Sequence, residues 1–245
     1  MIKQIFSILG IMILSFVLQA QVKIHSHNDY THTKPFTDAV ANKTFSIEAD
    51  VFLVGNLLVV SHSKQEINIE HTLENMYFQP IQALSKSNDF YSFQLMIDVK
   101  DNFNLTYPAL LKLIMNYQND FNNKGKKVSI VISGNRPPDS TTHNYKEVSF
   151  DGLPNHNYKP QDLAKVAMIS DNFATYSKWK GLGEISEADK TKLSTLIKSA
   201  HQIGKPIRFW NAPDNEASWK LLHDLGADII NTDRVAEATK FFKLK

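Results

Sequence analysis

The stretch TFSIEADV, residues 44–51, alternates apolar and polar side chains without a break. Phe45, Ile47, Ala49 and Val51 fall on one face of a strand, and Ser46, Glu48 and Asp50 fall on the other. FQLMIDV, residues 93–99, repeats the pattern: Phe93, Leu95, Ile97 and Val99 on one side, Gln94, Met96 and Asp98 on the other, with Lys100 following in phase. In a barrel, such apolar faces meet surrounding helices, and the polar faces point inward and up to the strand ends where barrel active sites sit. Outward from these two stretches, short β-rich runs at 23–27, 57–61, 127–133, 166–170, 206–210 and 228–231 alternate with helical patterns at 35–42, 72–84, 107–121, 187–203 and 216–225. Gly204 and Gly226 stand where two of the helices should stop. Strand, helix and glycine stop, repeated, predict an α/β chain folded as a single (β/α)8 TIM-type barrel. Two departures make it irregular: a tight turn at 54–56 joining two strands, and a Pro-, Asn- and Asp-rich stretch at 134–160, too long for an ordinary connection and too polar for a core element.

Composition narrows the class. A hydrophobic content of 42% supports one large core, and a net charge of +2 gives no electrostatic footprint for nucleic acid. No lysine cluster along the chain suggests a polybasic membrane patch. The complete lack of cysteine excludes disulfides, thiolate metal sites and a cysteine nucleophile. Lys3, the apolar run from Ile5 to Leu18, and Ala20 before Gln21 have the layout of a secretory signal peptide. The run is shorter than the ~20 residues a spanning helix needs, which leaves an uncleaved anchor as the alternative to a cleaved signal. The expected organisation is therefore a signal peptide at 1–20 and a barrel at 21–245, exported to the periplasm or secreted, with no stable membrane span after cleavage.

Glu48, Asp50 and Asp98 converge on one axis in such a barrel, and unpaired buried carboxylates are costly, so they call for a cation. An all-oxygen set suits one divalent ion, Mg²⁺ or Ca²⁺, and Lys100 beside it suits a phosphate oxygen. His27 and His62 each follow a strand and should reach the same mouth, one to take a proton and one to give it. His25 shares a face with His27 but lies deeper, where a hydrogen-bonded core histidine is expected.

These residues carry a resemblance. The runs His25-Ser-His27-Asn28-Asp29-Tyr30, Ile47-Glu48-Ala-Asp50-Val51, Val59-Val60-Ser-His62 and Ile97-Asp98-Val-Lys100 resemble the phosphatidylinositol-phospholipase-C-like phosphodiesterase superfamily, in particular an uncharacterised bacterial branch. That group includes glycerophosphodiester phosphodiesterases and sphingomyelinase-D-type phospholipases. Phe150-Asp151-Gly152 and Ala227-Asp-Ile-Ile-Asn231-Thr-Asp233 extend the likeness over the mature chain. It implies essential histidines at His27 and His62, metal ligands at Glu48, Asp50 and Asp98, and a phosphate-contacting lysine at Lys100. Trp210 is similar to a cleft-lining aromatic, with core packing as its alternative. Asn28 is a candidate contact for metal or phosphate, with a strand-end cap as its alternative.

The chain departs from the glycerophosphodiesterases in having Asn28-Asp29 where Arg-Gly is usual, and it lacks their Glu-Asn-Thr segment. The resemblance therefore implies a metal-dependent phosphodiesterase acting on a small-molecule or lipid phosphodiester, by hydrolysis or through a cyclic phosphate, with the head group open. Two other readings compete. His25-x-His27 suggests a zinc amidohydrolase, which only Asp233 supports further along the chain, and a secreted barrel could bind a phosphorylated ligand without turning it over.

Overall fold

The computed structural model describes residues 22–244, so the apolar run and the cleavage point after Ala20 lie outside the described residues. Ten strands follow in chain order: β1 (Lys23–Ser26), β2 (Ser46–Val54), β3 (Leu57–Val60), β4 (Phe93–Val99), β5 (Asn122–Asn123), β6 (Lys126–Gly134), β7 (Ser149–Gly152), β8 (Val166–Asn172), β9 (Ile207–Trp210) and β10 (Ile229–Thr232). The α-helices are α1 (Thr37–Ala41), α2 (Gln79–Ser85), α3 (Phe103–Tyr117), α4 (Pro160–Leu163), α5 (Glu187–Gln202), α6 (Glu216–Leu225) and α7 (Val235–Lys243). Eight strands pair in parallel in the order β1, β2, β4, β6, β7, β8, β9, β10, and β10 pairs back with β1. That closes a TIM-type barrel.

The period-two pattern now has its cause. Ile47, Ala49, Val51, Leu95, Ile97 and Val99 point out and join one apolar cluster with the helices. The opposite parity fills the interior, where Met96, Val131, Met168 and Ile229 pack as an apolar layer. Polar side chains of the same parity lie above that layer, towards the strands' carboxyl ends. β3 is antiparallel to β2 and turns at Gly55, with φ 61, as the 54–56 turn required.

Three elements differ from the sequence reading. The stretch 134–160 is not one polar loop: β7 runs through it and completes the barrel. Only four residues long and carrying a buried aspartate, β7 lacks the apolar run that marks a core strand. Helix α3 starts at Phe103 rather than Tyr107, because the Asn102 side chain accepts from Asn104 N and caps it. It ends at Tyr117, and Phe121 then leads into the β5–β6 hairpin, whose turn places Lys124 and Gly125 at positive φ. The closing helix α7 is not among the helical patterns expected, although Val235, Ala238, Phe241 and Phe242 do fall on one apolar face that packs on the core.

Candidate active site and metal centre

Inside the barrel, just above the apolar layer, Arg208 of β9 is 4% exposed. Its Nη1 lies 3.0 Å from Glu48 Oε2, its Nη2 3.1 Å from Asp151 Oδ2, and its Nε donates to Ser170 Oγ at 3.0 Å. Asn231 Oδ1 accepts from Nη1 at 3.2 Å. One guanidinium thus offsets two buried carboxylates, which its forked geometry allows and a lysine would not. His25, fully buried, brings Nε2 to 2.7 Å from Glu48 Oε2 and 2.6 Å from Arg208 Nη1. Burial and then the guanidinium charge lower its pKa to about 4, so the ring is neutral at pH 7. Burial alone would raise the Glu48 carboxyl, but His25 and Arg208 hold it well below the usual carboxylate range.

One turn of the pleat higher, the carboxylates of β2 and β4 meet. Asp50 and Asp98 are register partners, and one oxygen each of Glu48, Asp50 and Asp98 lies within 4.8 Å of the others. Lys100 Nζ stands 2.9 Å from Asp50 Oδ2 and 3.3 Å from Asp98 Oδ2. Burial pushes the Asp50 carboxyl up to about 6 even with Lys100 pulling the other way. Asp50 Oδ1 and Asp98 Oδ1 are buried and have no hydrogen-bond partner. Two such oxygens, carried by an all-oxygen donor set, fit a hard divalent cation. Gly134, at the end of β6, makes room for this: a Cβ there would come within 2.0 Å of Asp98 Oδ1 and 2.6 Å of Val99 O, and its φ is 68.

The two histidines stand at the mouth. His27 Nδ1 lies 2.7 Å from Asp233 Oδ1, across the β1–β10 seam. Burial pulls the His27 pKa down, but the Asp233 hydrogen bond and the charges of Glu48 and Asp233 outweigh it and leave it raised. His62 is exposed, with Nδ1 3.2 Å from Tyr30 Oη and 3.6 Å from Asp50 Oδ2. Tyr30 Oη donates to Asp50 Oδ2 at 2.8 Å and lies 3.1 Å from Asn28 Oδ1. Burial and the Asp50 charge push its hydroxyl far above the ordinary range, so it stays a donor.

Asn28 takes the left-handed conformation, φ 45, ahead of the short turn at Asp29–Thr31. The turn is locked by Asp29, fully buried, which accepts from Ser26 Oγ at 2.8 Å, Phe36 N at 2.6 Å and Tyr77 Oη at 3.0 Å. Trp210 ends β9 and is 40% exposed, so it is a rim residue and not core. Glu48, Asp50, Asp98, Lys100, His62 and Asn28 thus lie together through Tyr30 and the carboxylate group, His27 stands on the adjoining β1–β10 seam, and Trp210 ends β9.

Sequence reasoning assigns no role at this site to Tyr30, Asp151 and Arg208, and Asp233 enters it only through the closing run of the resemblance and the zinc alternative. Tyr30 was legible as part of the quoted motif, and Arg208 as a lone charge of inward parity in an apolar strand. Among the described residues, the group able to hold an ion contains no histidine, so the zinc reading finds no cluster to rest on.

The fold is a TIM-type barrel, and the comparisons find its likeness among phosphodiesterases. A glycerophosphodiester phosphodiesterase from Parabacteroides distasonis superposes with a TM-score of 0.62 at 15% identity, covering 91% of this chain and 98% of that one. A calcium-dependent phosphoinositol-specific phospholipase C from Pseudomonas gives 0.60 at 14% identity, covering 88% and 89%. The AIM6-like phosphodiesterase domain matches residues 17–102, and the glycerophosphoryl diester phosphodiesterase family matches residues 206–236. Among curated relatives, Altered inheritance of mitochondria protein 6 of Eremothecium gossypii is 25% identical over 89% of this chain and 69% of its own length. A homologue in Arthroderma benhamiae is 25% identical over 90% and 84%. The resemblance to the phospholipase-C-like phosphodiesterase superfamily therefore holds in both sequence and fold.

Proposed function

We propose that this chain is an exported metal-dependent phosphodiesterase that cleaves a glycerophosphodiester or phospholipid-type substrate. The observation that carries the reading is the meeting of three carboxylates from two adjacent strands beneath two mouth histidines. Glu48, Asp50 and Asp98 would hold one divalent cation, Mg²⁺ or Ca²⁺. When bound, such an ion polarises a phosphoryl oxygen and offsets developing charge. Lys100 faces a second phosphoryl oxygen with a fixed ammonium.

His27 takes the proton of the attacking hydroxyl. Asp233, bonded to Nδ1, leaves Nε2 free for that task and stabilises the imidazolium that results. His62 protonates the departing oxygen, and Tyr30 steadies both His62 and Asp50. Proton traffic is the same whether the attacker is water or a substrate hydroxyl, so hydrolysis and cyclic phosphate formation use one arrangement. Trp210 offers an apolar wall to the alcohol side, and Asn28 a polar contact at the mouth.

Turnover of bis(4-nitrophenyl) phosphate with Mg²⁺ or Ca²⁺, and its loss in EDTA, tests the reading. His27→Ala and His62→Ala should abolish turnover while calorimetry still finds the ion bound. Unchanged rates in both variants refute the mechanism. A wild-type protein that binds phosphodiesters without cleaving them would return the binding-only alternative.

A further inference from the structure

We propose that the barrel's N-terminal end, opposite the catalytic mouth, is a docking face for an anionic lipid bilayer. No lysine run exists in the sequence, but the topology builds one. Because all eight barrel strands are parallel, every strand start and every helix-to-strand connection lies at one end. Lys23 opens β1, and Lys43 and Lys86 precede β2 and β4. Lys124, Lys126 and Lys127 form the β5–β6 hairpin, Lys146, Lys165 and Lys205 precede β7, β8 and β9, and Lys243 closes α7. Against these ten lysines the same connections carry four carboxylates, Asp89, Asp120, Glu147 and Asp228. The whole chain has a net charge of only +2, so the charge is strongly polarised along the barrel axis.

The charges at this end are held in place without being cancelled. None of the ten lysines has a described carboxylate within ion-pairing distance, whereas five of the twelve described lysines elsewhere do: Lys64, Lys100, Lys190, Lys192 and Lys220. Several instead donate to backbone carbonyls: Lys43 to Asp89 at 2.8 Å, Lys165 to Lys146 at 3.1 Å and Lys205 to Val166 at 2.7 Å. Two cavities open on the face. One, of about 610 Å³, is lined by Lys23, Lys43 and Lys243 with Phe45, Tyr91 and Phe242, and another, of about 350 Å³, by Lys127, Lys146 and Lys165.

A bilayer fits this face better than a nucleic acid does. Phe45, Tyr91 and Phe242 stand half-buried beside Lys23, Lys43 and Lys243 in the larger cavity. Apolar residues next to a basic face are what an anionic headgroup layer binds. The inference stands apart from the proposed activity. It does fix orientation: docked this way, His27 and His62 face away from that membrane and meet substrate from the aqueous side.

The test is co-sedimentation of the full chain with phosphatidylcholine vesicles, plain or with about 30% phosphatidylglycerol, at low and high salt. We expect at least about tenfold tighter binding to the anionic vesicles at low salt, lost near 0.5 M NaCl, since each surface lysine contributes about fivefold. The variant K124Q/K126Q/K127Q/K146Q should lose the preference. A mouth-side control, K34Q/K64Q/K178Q/K180Q, should keep it. Circular dichroism melting reports whether each variant folds, and pairwise variants replace any that does not. Equal binding to both vesicles, a preference insensitive to salt, or equal loss in both variants overturns the proposal. So does binding to heparin or single-stranded RNA without binding to vesicles.

Discussion

Replacing Arg208 with Met tests how the barrel tolerates its buried charge. The guanidinium is 3.0 Å from Glu48 and 3.1 Å from Asp151, and both carboxylates are about 95% buried. Removing one partner of a buried ion pair costs about 3–5 kcal/mol, because the remaining charge stays desolvated. Against the roughly 5–15 kcal/mol that keeps a domain folded, that is a large share. The pairing geometry adds two further expectations. Combining Asp151→Asn with Arg208→Met removes one stranded charge and should restore about half of the loss. Glu48 is the other, and a divalent ion bound to it would stabilise the variant by about 2.7 kcal/mol at a hundredfold excess over Kd. Urea unfolding followed by circular dichroism, in EDTA and in Mg²⁺, reads all three quantities. A loss below about 1 kcal/mol in EDTA, or no recovery with Asp151→Asn, refutes the assignment of Arg208 as the shared counter-ion.

Other outcomes follow from the same geometry. Gly134→Ala should lower stability by about 1–3 kcal/mol and weaken metal binding at least tenfold, since its methyl would strike Asp98 Oδ1; melting and calorimetry check both. Asp233→Asn removes the contact that raises the His27 pKa. If His27 is the base, activity appears as pH rises through that pKa, so the acidic limb of kcat/KM should move to lower pH while the rate falls. A limb that stays in place would count against His27. Stability should also depend on acid. The folded chain keeps His25 neutral down to about 4, whereas the unfolded chain binds that proton near 6.5. Stability therefore falls as pH drops through that window, by roughly 3 kcal/mol for this residue. Unfolding at neutral and at mildly acid pH should show the slope, and His25→Gln should flatten it.

Much of the barrel was legible because its outer face obeys a simple rule. Ile47, Ala49 and Val51, or Leu95, Ile97 and Val99, alternate with polar partners, and that alternation alone located β2 and β4 and the inward direction of Glu48, Asp50 and Asp98. What escaped was set by partners distant in sequence. Asp151 makes β7 look like loop until Arg208, 57 residues on, is seen to offset it. His27 gains its orienting carboxylate from Asp233, 206 residues away. The lysine face escaped for the same reason: single lysines at successive connections form no run, and only the parallel topology gathers them.

Calorimetric titration of the EDTA-treated chain with Mg²⁺ and with Ca²⁺, repeated on Glu48→Gln, Asp50→Asn and Asp98→Asn, addresses the core of this account. One ion per chain should bind the unaltered protein, and each substitution should weaken that binding by tenfold or more. Undetectable binding to the unaltered chain, or affinity untouched by all three substitutions, would contradict it.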